Sequence, residues 1–234
     1  KGFEYLNDLF IRRHQKILWR SSKRLSAVCA VLILACLLMF YLLPQTKKEV
    51  NELLLVFLPY FVFIMYAINR GTGFTRALFM NCDHSLLTYS FYKRPAMILK
   101  LFRIRLREII KINLLPGMIL GGGLALLLYA SGGTDDPLNY WLLLISIVCM
   151  SIFFSVHYLT IYYLLQLYNA GTEIKSGTYQ IVMSATYLIC FGMMQVRMPI
   201  QTFGILCIVF CLLYFAVACV LIYRFAPKTF RLRN

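Results

Sequence analysis

The apolar residues of this chain are gathered in blocks of about 17 to 25 residues, and this grouping restricts the possible folds more than any other feature. A helix rises 1.5 Å per residue, so about 20 apolar residues cross the ~30 Å hydrocarbon layer of a bilayer. Of the 234 residues, 61% are apolar and 14% are charged, an excess that one soluble core cannot hold. The sequence therefore predicts an all-α integral membrane protein and excludes disordered, fibrous, disulfide-rich secreted and soluble nucleic-acid-binding proteins.

Six transmembrane helices are predicted from these blocks and from the residues that separate them. The second block carries Pro59, which a membrane helix tolerates when neighbouring groups satisfy the freed carbonyl. Polar residues interrupt the fifth block, which gives the weakest signal. The predicted spans are Leu25 to Leu43, Glu52 to Ile68, Ile110 to Ala130, Tyr140 to Leu165, Tyr179 to Val196, and Phe203 to Tyr223.

The positions of lysine and arginine predict the orientation, because short cytoplasmic segments hold an excess of both. Of the 24 lysines and arginines, 21 fall on one set of alternating segments and three on the other, so both termini are expected in the cytoplasm. A single transmembrane domain is expected, with residues 1–24 cytoplasmic, 25–68 holding spans one and two, 69–109 a cytoplasmic loop, 110–223 holding spans three to six, and 224–234 a cytoplasmic tail. The sequence begins with Lys1 rather than methionine, which is compatible with a fragment of a longer chain.

Residues 1–24 mix apolar and basic side chains, a pattern typical of a helix that lies in the membrane interface. Basic residues in such a helix contact the anionic headgroups of the cytoplasmic leaflet. The same pattern also fits a charged flank whose only effect is to set the topology, and the sequence allows both interpretations.

The loop between spans two and three is much longer than the other connections, and a long ordered loop usually has a function. A short helix is predicted from His84 to Tyr92, with Asn81 or Asp83 as its N-cap. This helix is aromatic and almost uncharged, and an exposed apolar helix of this kind usually marks a contact site. Packing against the protein's own interfacial helices is an equally good interpretation of the residues.

A second helix in the loop is predicted to start at Pro95 and to carry a basic stripe. The stripe is expected to contact lipid headgroups through snorkelling side chains. Nucleic-acid binding is not expected, because lipid phosphates already neutralise these cations. The members of the stripe are Lys100, Arg103, Arg107 and Lys111.

The fourth span carries a polar stripe at helical spacing, which should face protein or a wet cavity rather than lipid. One interpretation is a seam of hydrogen bonds between helices, and the other is a wall of a substrate path with Gln180 of the fifth span opposite. His157 is the only histidine inside a predicted span, and one histidine is insufficient for a proton relay. The stripe consists of Ser151, Ser155, Tyr158, Tyr162 and Gln166.

Motifs for covalent chemistry are missing from the sequence. It contains no GxxxxGK[ST] phosphate-binding loop, no HExxH and no GxSxG, so no catalytic residue, metal site or cofactor is predicted in this chain. Seven of the eight cysteines lie in apolar blocks without metal-ligand spacing, which favours packing. The nine acidic residues avoid the centres of the spans, which disfavours ion-coupled transport.

The combination of a basic N-terminal helix, six spans with both ends inside, and a helix-bearing second loop resembles the membrane subunit of type 2 ABC exporters. The stretch from Phe79 to Pro95 (FMNCDHSLLTYSFYKRP) is similar to permeases of Gram-positive ABC exporters. One difference is the connection at 197–202, which is too short for the pair of re-entrant helices that many members place there.

The resemblance implies outward transport of an amphipathic or hydrophobic substrate, such as a peptide, across a bacterial plasma membrane. It implies a separate ATP-binding subunit that holds ATP and Mg²⁺, and a second membrane half that is identical or different. The alternative function is a non-transporting membrane anchor or immunity protein that binds a partner. The residues that would dock the ATPase are Asp83, His84, Leu86, Leu87, Tyr89, Phe91 and Tyr92.

Overall fold

The computed structural model describes residues 2–87, 94–165 and 176–230, and within these ranges the chain is all-helical. The helices are α1 (Gly2–Leu42), α2 (Thr46–Val56), α3 (Tyr60–Ile68), α4 (Gly71–Leu78), α5 (His84–Leu86), α6 (Pro95–Ala130), α7 (Leu138–Leu165), α8 (Gly177–Met193) and α9 (Ile200–Thr229). A π-helical turn, Phe79–Asp83, joins α4 to α5.

The centre of the fold is a bundle of α6, α7 and α9, on which the other helices pack. Its buried side chains form two apolar clusters, one around Phe102 and Tyr162 and the other around Leu128 and Phe154. Helix α7 lies close to the backbone of α6 at Gly117, where an added Cβ would lie 3.2 Å from the Cβ of Ser151. Small residues at this crossing therefore set the distance between the two central helices.

The first helix packs along α6, and the two helices run in the same direction. The Ser22 hydroxyl donates to the carbonyl of Ile112 at 2.5 Å, and a Cβ added at Gly123 would overlap Ile33. Both pairs are 90 residues apart in sequence, so α1 and α6 stay in register between these levels. The predicted separate interfacial helix is not observed, because residues 2–24 belong to the same 41-residue helix as the first span. Ile11 and Trp19 in this part pack against the protein's own core.

The prediction of several apolar helices long enough to cross a membrane is confirmed, but the predicted number of six is not. Within the described ranges, four helices are long and apolar enough to cross a membrane: Trp19–Leu42 in α1, and all of α6, α7 and α9. A fifth arises if the bent pair Thr46–Val56 and Tyr60–Asp83 counts as one span. The fifth predicted span, Tyr179 to Val196, corresponds to α8, whose 17 residues rise only about 25 Å at 1.5 Å per residue.

The second predicted span is not a single helix, because it breaks between α2 and α3 and bends by 82°. Pro59 has no N–H for the carbonyl of Leu55, and the N–H of Tyr60 donates to Phe57 rather than to Val56. The residues at the break remain covered, since Leu58 is fully buried. The proline therefore divides this segment into two short helices at a sharp angle.

The predicted helix from His84 to Tyr92 is described only in part. Residues 84–86 continue the helical path of α4 and the π-helical turn, and residues 88–93 lie outside the described ranges. The predicted N-caps are wrong, because the chain is already helical at both positions. The side-chain amide of Asn81 donates to the carbonyl of Ala77, and the carboxylate of Asp83 binds a distant arginine.

The predicted orientation, with both termini in the cytoplasm, can be tested by labelling in a variant without native cysteines. A cysteine at the exposed position Asp135, in the loop before α7, should react with a membrane-impermeant maleimide in intact cells. A cysteine at the exposed position Arg76 should react only after the membrane is opened. The reverse pattern would show that the positive-inside argument gives the wrong orientation.

Candidate functional site, a buried ion pair

The site begins with the way the chain turns from α3 into α4. The N–H of Gly71 donates to the Asn69 side chain at 2.7 Å, and a Cβ added at Gly71 would overlap Tyr158 of α7. Glycine at this position therefore lets α4 lie directly against α7. The π-helical turn that follows accommodates an extra residue. It ends at Asp83, whose side chain is completely buried.

Arg105 of α6 is the partner of Asp83. Its Nη1 donates to Oδ2 of Asp83 at 2.8 Å, and its Nη2 donates to Oδ1 at 2.5 Å. The two side chains are 1% and 0% exposed, so this bidentate pair lies entirely inside the protein. Parallel N–H···O bonds between a planar guanidinium and a carboxylate fix the relative orientation of both groups.

Two consecutive tyrosines at the end of α7 complete the site. The Tyr162 hydroxyl donates to Oδ2 of Asp83 at 2.6 Å, and Nη1 of Arg105 donates to the Tyr163 hydroxyl at 2.7 Å. Phe230, which follows α9, packs on both rings, with centroids 5.5 Å from Tyr162 and 4.6 Å from Tyr163. One small cluster thus joins the π-helical turn, α6, α7 and the end of α9.

This cluster is suited to holding elements together rather than to chemistry. Burying two charges is costly, and the cost is offset only where geometry and further hydrogen bonds are good, as they are here. The carboxylate accepts hydrogen bonds from both Nη atoms of Arg105 and from the Tyr162 hydroxyl. Because the bonds are directional, the segment from α4 to α5 is fixed in both position and orientation relative to α6 and α7.

Arg105 was not recognised from the sequence, although a signal was present. The stripe residues of α6 face outward, but Arg105 occurs with Phe102 and Ile109 at helical spacing on the apolar side. A single arginine on the buried face of an amphipathic helix needs a buried anion. Asp83 is an acidic residue in the loop just before this helix, so its pairing with Arg105 could have been predicted from the sequence.

The residues predicted to dock an ATPase do not share one surface. Asp83 and Leu87 are buried, while His84 and Leu86 are partly buried. Asp83 is therefore a structural residue within the protein and not a surface contact, because Arg105 and Tyr162 occupy its carboxylate. The predicted contacts Tyr89, Phe91 and Tyr92 lie outside the described residues.

The polar stripe of α7 makes hydrogen bonds to α6. The Ser151 hydroxyl donates to the carbonyl of Asn113 at 2.9 Å, and the Asn113 amide donates to the Ser155 hydroxyl at 2.9 Å. Further along the stripe, Tyr158 packs against Gly71 and Tyr162 binds Asp83. These contacts are those of a seam between helices, the first of the two interpretations of the stripe.

Of the other two residues assigned to a substrate path, Gln180 is exposed on α8, apart from this seam. Gln166 falls outside the described ranges. A polar contact between α7 and α8 is made by a residue that was not assigned to the path, His157. Its Nε2 lies 3.1 Å from the Thr186 hydroxyl, and its Nδ1 lies 2.8 Å from the Tyr214 hydroxyl. Thr186 already donates to the carbonyl of Val182, so in the neutral ring Nε2 carries the proton and donates to Thr186.

The basic stripe of α6 is exposed along its length, as the sequence predicted. Glu108 accepts a hydrogen bond from Arg107 at 3.1 Å and one from Lys111 at 2.9 Å. These pairs are exposed on the basic side and contribute little to stability. The outward direction of Lys100 and Arg103 fits the predicted contact with lipid headgroups, which stays a prediction.

Comparison of the chain with family models, curated proteins and solved structures gave no match.

Proposed function

We propose that this chain is the permease subunit of a type 2 ABC exporter, driven by a separate ATPase subunit. The observation that supports the proposal most directly is the buried pair of Asp83 and Arg105. It connects the segment that would meet the ATPase to two long apolar helices, α6 and α7. A device that converts ATP hydrolysis into helix movement needs a rigid connection of this kind.

In the proposed mechanism, residues 84–92 form the contact with the ATPase. Movement of the docked subunit displaces the segment from α4 to α5, and the ion pair passes the displacement to α6. Tyr162 and Tyr163 pass the same displacement to α7 through their hydrogen bonds. This chain carries out no covalent chemistry in the mechanism, and ATP and Mg²⁺ are bound by the partner subunit.

The proposed assembly is a complex in a bacterial plasma membrane, with both termini of this chain in the cytoplasm. It contains two membrane halves, identical or different, and the substrate is amphipathic or hydrophobic, with a peptide as one example. The exposed cations of the basic stripe contact anionic lipid headgroups in this arrangement.

The alternative function is a membrane anchor or immunity protein that binds a partner without transport. One observation favours it: Ser151 and Ser155 are engaged in the seam between α6 and α7 rather than lining an open path. In this alternative the ion pair fixes a binding segment on a static bundle, and no ATPase is required.

The proposal predicts that Tyr89→Ala combined with Phe91→Ala abolishes co-purification with an ATPase encoded beside this chain. Aromatic hot spots at interfaces each contribute about 2 kcal/mol or more, which is about thirtyfold in affinity per residue. Affinity purification from detergent-solubilised membranes, followed by an assay of bound ATPase, measures the effect.

Tyr129→Ala is the matched control, because Tyr129 is 73% exposed at the opposite end of α6. This variant should retain the ATPase in full. Undiminished binding by the aromatic double variant would refute the docking assignment. Absence of any ATPase bound to the wild-type protein, with another protein in its place, would favour the anchor.

A further inference from the structure

The outer connection between α8 and α9 is attached to the break between α2 and α3. The N–H of Met198 donates to the carbonyl of Val56 at 3.0 Å, although the two residues are far apart in sequence. The proline break frees this carbonyl, because the N–H of Tyr60 donates to Phe57 instead. Beside this bond, the guanidinium of Arg197 lies 5.2 Å from the centroid of the Phe57 ring. A carbonyl released by the break is thus bound by a distant loop.

The middle of α2 is attached to the loop between α6 and α7. The side-chain amide of Asn51 donates to the hydroxyl of Ser131 at 3.1 Å and to the carbonyl of Gly133 at 2.9 Å. Gly133 has a φ of +78°, a conformation that glycine adopts without strain, so this turn presents its carbonyl to Asn51. Two polar attachments, one at the middle of α2 and one at its C-terminal end, therefore hold α2 against the rest of the fold.

The underside of α2 is apolar and its upper side is charged. Leu54 is 4% exposed and packs in the cluster that includes Leu58 and Phe40, whereas Lys48, Glu49 and Glu52 are exposed. A short helix that is hinged at a proline, covered on one face and attached by a few weak bonds has the construction of a lid. Short helices at the periphery of a fold, with few buried contacts, open locally at a lower free energy than the packed core.

We infer that α2 is a lid on the outer side of the protein, which pivots at residues 57–59. The hydrogen bonds of Asn51 hold it closed, and Arg197 and the carbonyl of Val56 attach the pivot to the loop between α8 and α9. The inference extends the proposed function, since an exporter needs a closure on its outer side. It concerns only this chain's own segments, however, and its test requires neither an ATPase nor a substrate.

The test measures how fast a cysteine beneath the lid reacts with a membrane-impermeant thiol reagent, in a variant without native cysteines. Leu54→Cys should react slowly, because the reagent reaches it only when the lid opens, and the rate then follows the open population. Arg197→Gln removes the cation above Phe57 and should raise the rate about two- to fivefold. Asn51→Ala removes two hydrogen bonds and should raise it about tenfold.

Three matched controls separate lid opening from general loosening. Arg197→Lys keeps a cation and should leave the rate near that of the parent. Leu53 is 47% exposed, so a cysteine at this position should react quickly and at the same rate in every variant. Leu143 in α7 is fully buried, so a cysteine there should stay unreactive. Unchanged Leu54→Cys rates in both loosened variants, or equal acceleration at Leu143→Cys, would overturn the inference.

A further arm separates this inference from the proposed function. Membranes that contain the neighbouring ATPase should show faster Leu54→Cys labelling when ATP is added. A lid that responds to Arg197→Gln and Asn51→Ala but not to ATP would stand as a lid and would count against the exporter. If neither substitution nor ATP changes the labelling rate, the lid itself is rejected.

Discussion

Replacing Arg105 with leucine should lower the free energy of unfolding by about 3 to 5 kcal/mol, because it leaves a carboxylate in the interior without its guanidinium. The Asp83 side chain is fully buried, so water does not compensate for the loss in the folded state. Denaturant titration of the protein in nanodiscs, followed through α-helical circular dichroism, measures the change. Membrane levels of the variant in cells should fall in parallel.

Arg103→Leu is the matched control for this variant. Arg103 lies two residues earlier on α6 and is exposed, so the change should stay within about 0.5 kcal/mol of zero. The double variant Asp83→Leu with Arg105→Leu removes both charges together. It should be less destabilised than the sum of the two single changes, since no isolated charge remains buried. Strict additivity would mean that the two groups do not interact.

Gly71→Ala should also destabilise the protein, by about 1 to 3 kcal/mol, because an added methyl group overpacks the contact between α4 and α7. The new Cβ would overlap the Cβ of Tyr158 and lie 2.6 Å from its Cγ. These atoms are next to the backbone of α7, so no flexible chain end is available to move aside. Thermal unfolding monitored by the fluorescence of a thiol-reactive dye measures the loss.

Gly73→Ala provides the comparison within the same helix. Nothing lies within 4 Å of a Cβ added at Gly73, and alanine is the better helix former, so the variant should be as stable as the parent or slightly more stable. Equal destabilisation by the two variants would show that α4 is sensitive to backbone changes in general. In that case the close contact between Gly71 and Tyr158 would not be the cause.

The sequence predicted the long apolar helices well, because their signal is local and repeated. Four predicted spans correspond to helices that are long and apolar enough to cross a membrane. The second span was wrong as a continuous helix because Pro59 removes a donor, and the direction of the resulting bend depends on the loop that binds the freed carbonyl of Val56. That partner lies in a distant loop, and no local pattern identifies it.

The ion-pair cluster itself was not predicted from the sequence. Two of its residues were named with other roles, Asp83 as a surface contact and Tyr162 as part of a substrate path. Burial of an acidic residue depends on a matching cation, and Arg105 was overlooked beside four more conspicuous basic residues. The aromatic side chain of Phe230 reaches the site from the far end of the chain, which is a tertiary contact without any sequence signature.

The constant register of α1 and α6 has a mechanical consequence. Two parallel helices that keep the same offset at Ser22 and at Ile33 behave as one rod, stiffer against bending than either helix alone. One end of this rod carries Arg105, and the other reaches Ser131, on which Asn51 rests. In the proposed exporter, a displacement at the end that holds Arg105 would be carried along this rod to the turn at Ser131, with no chain of side-chain movements in between.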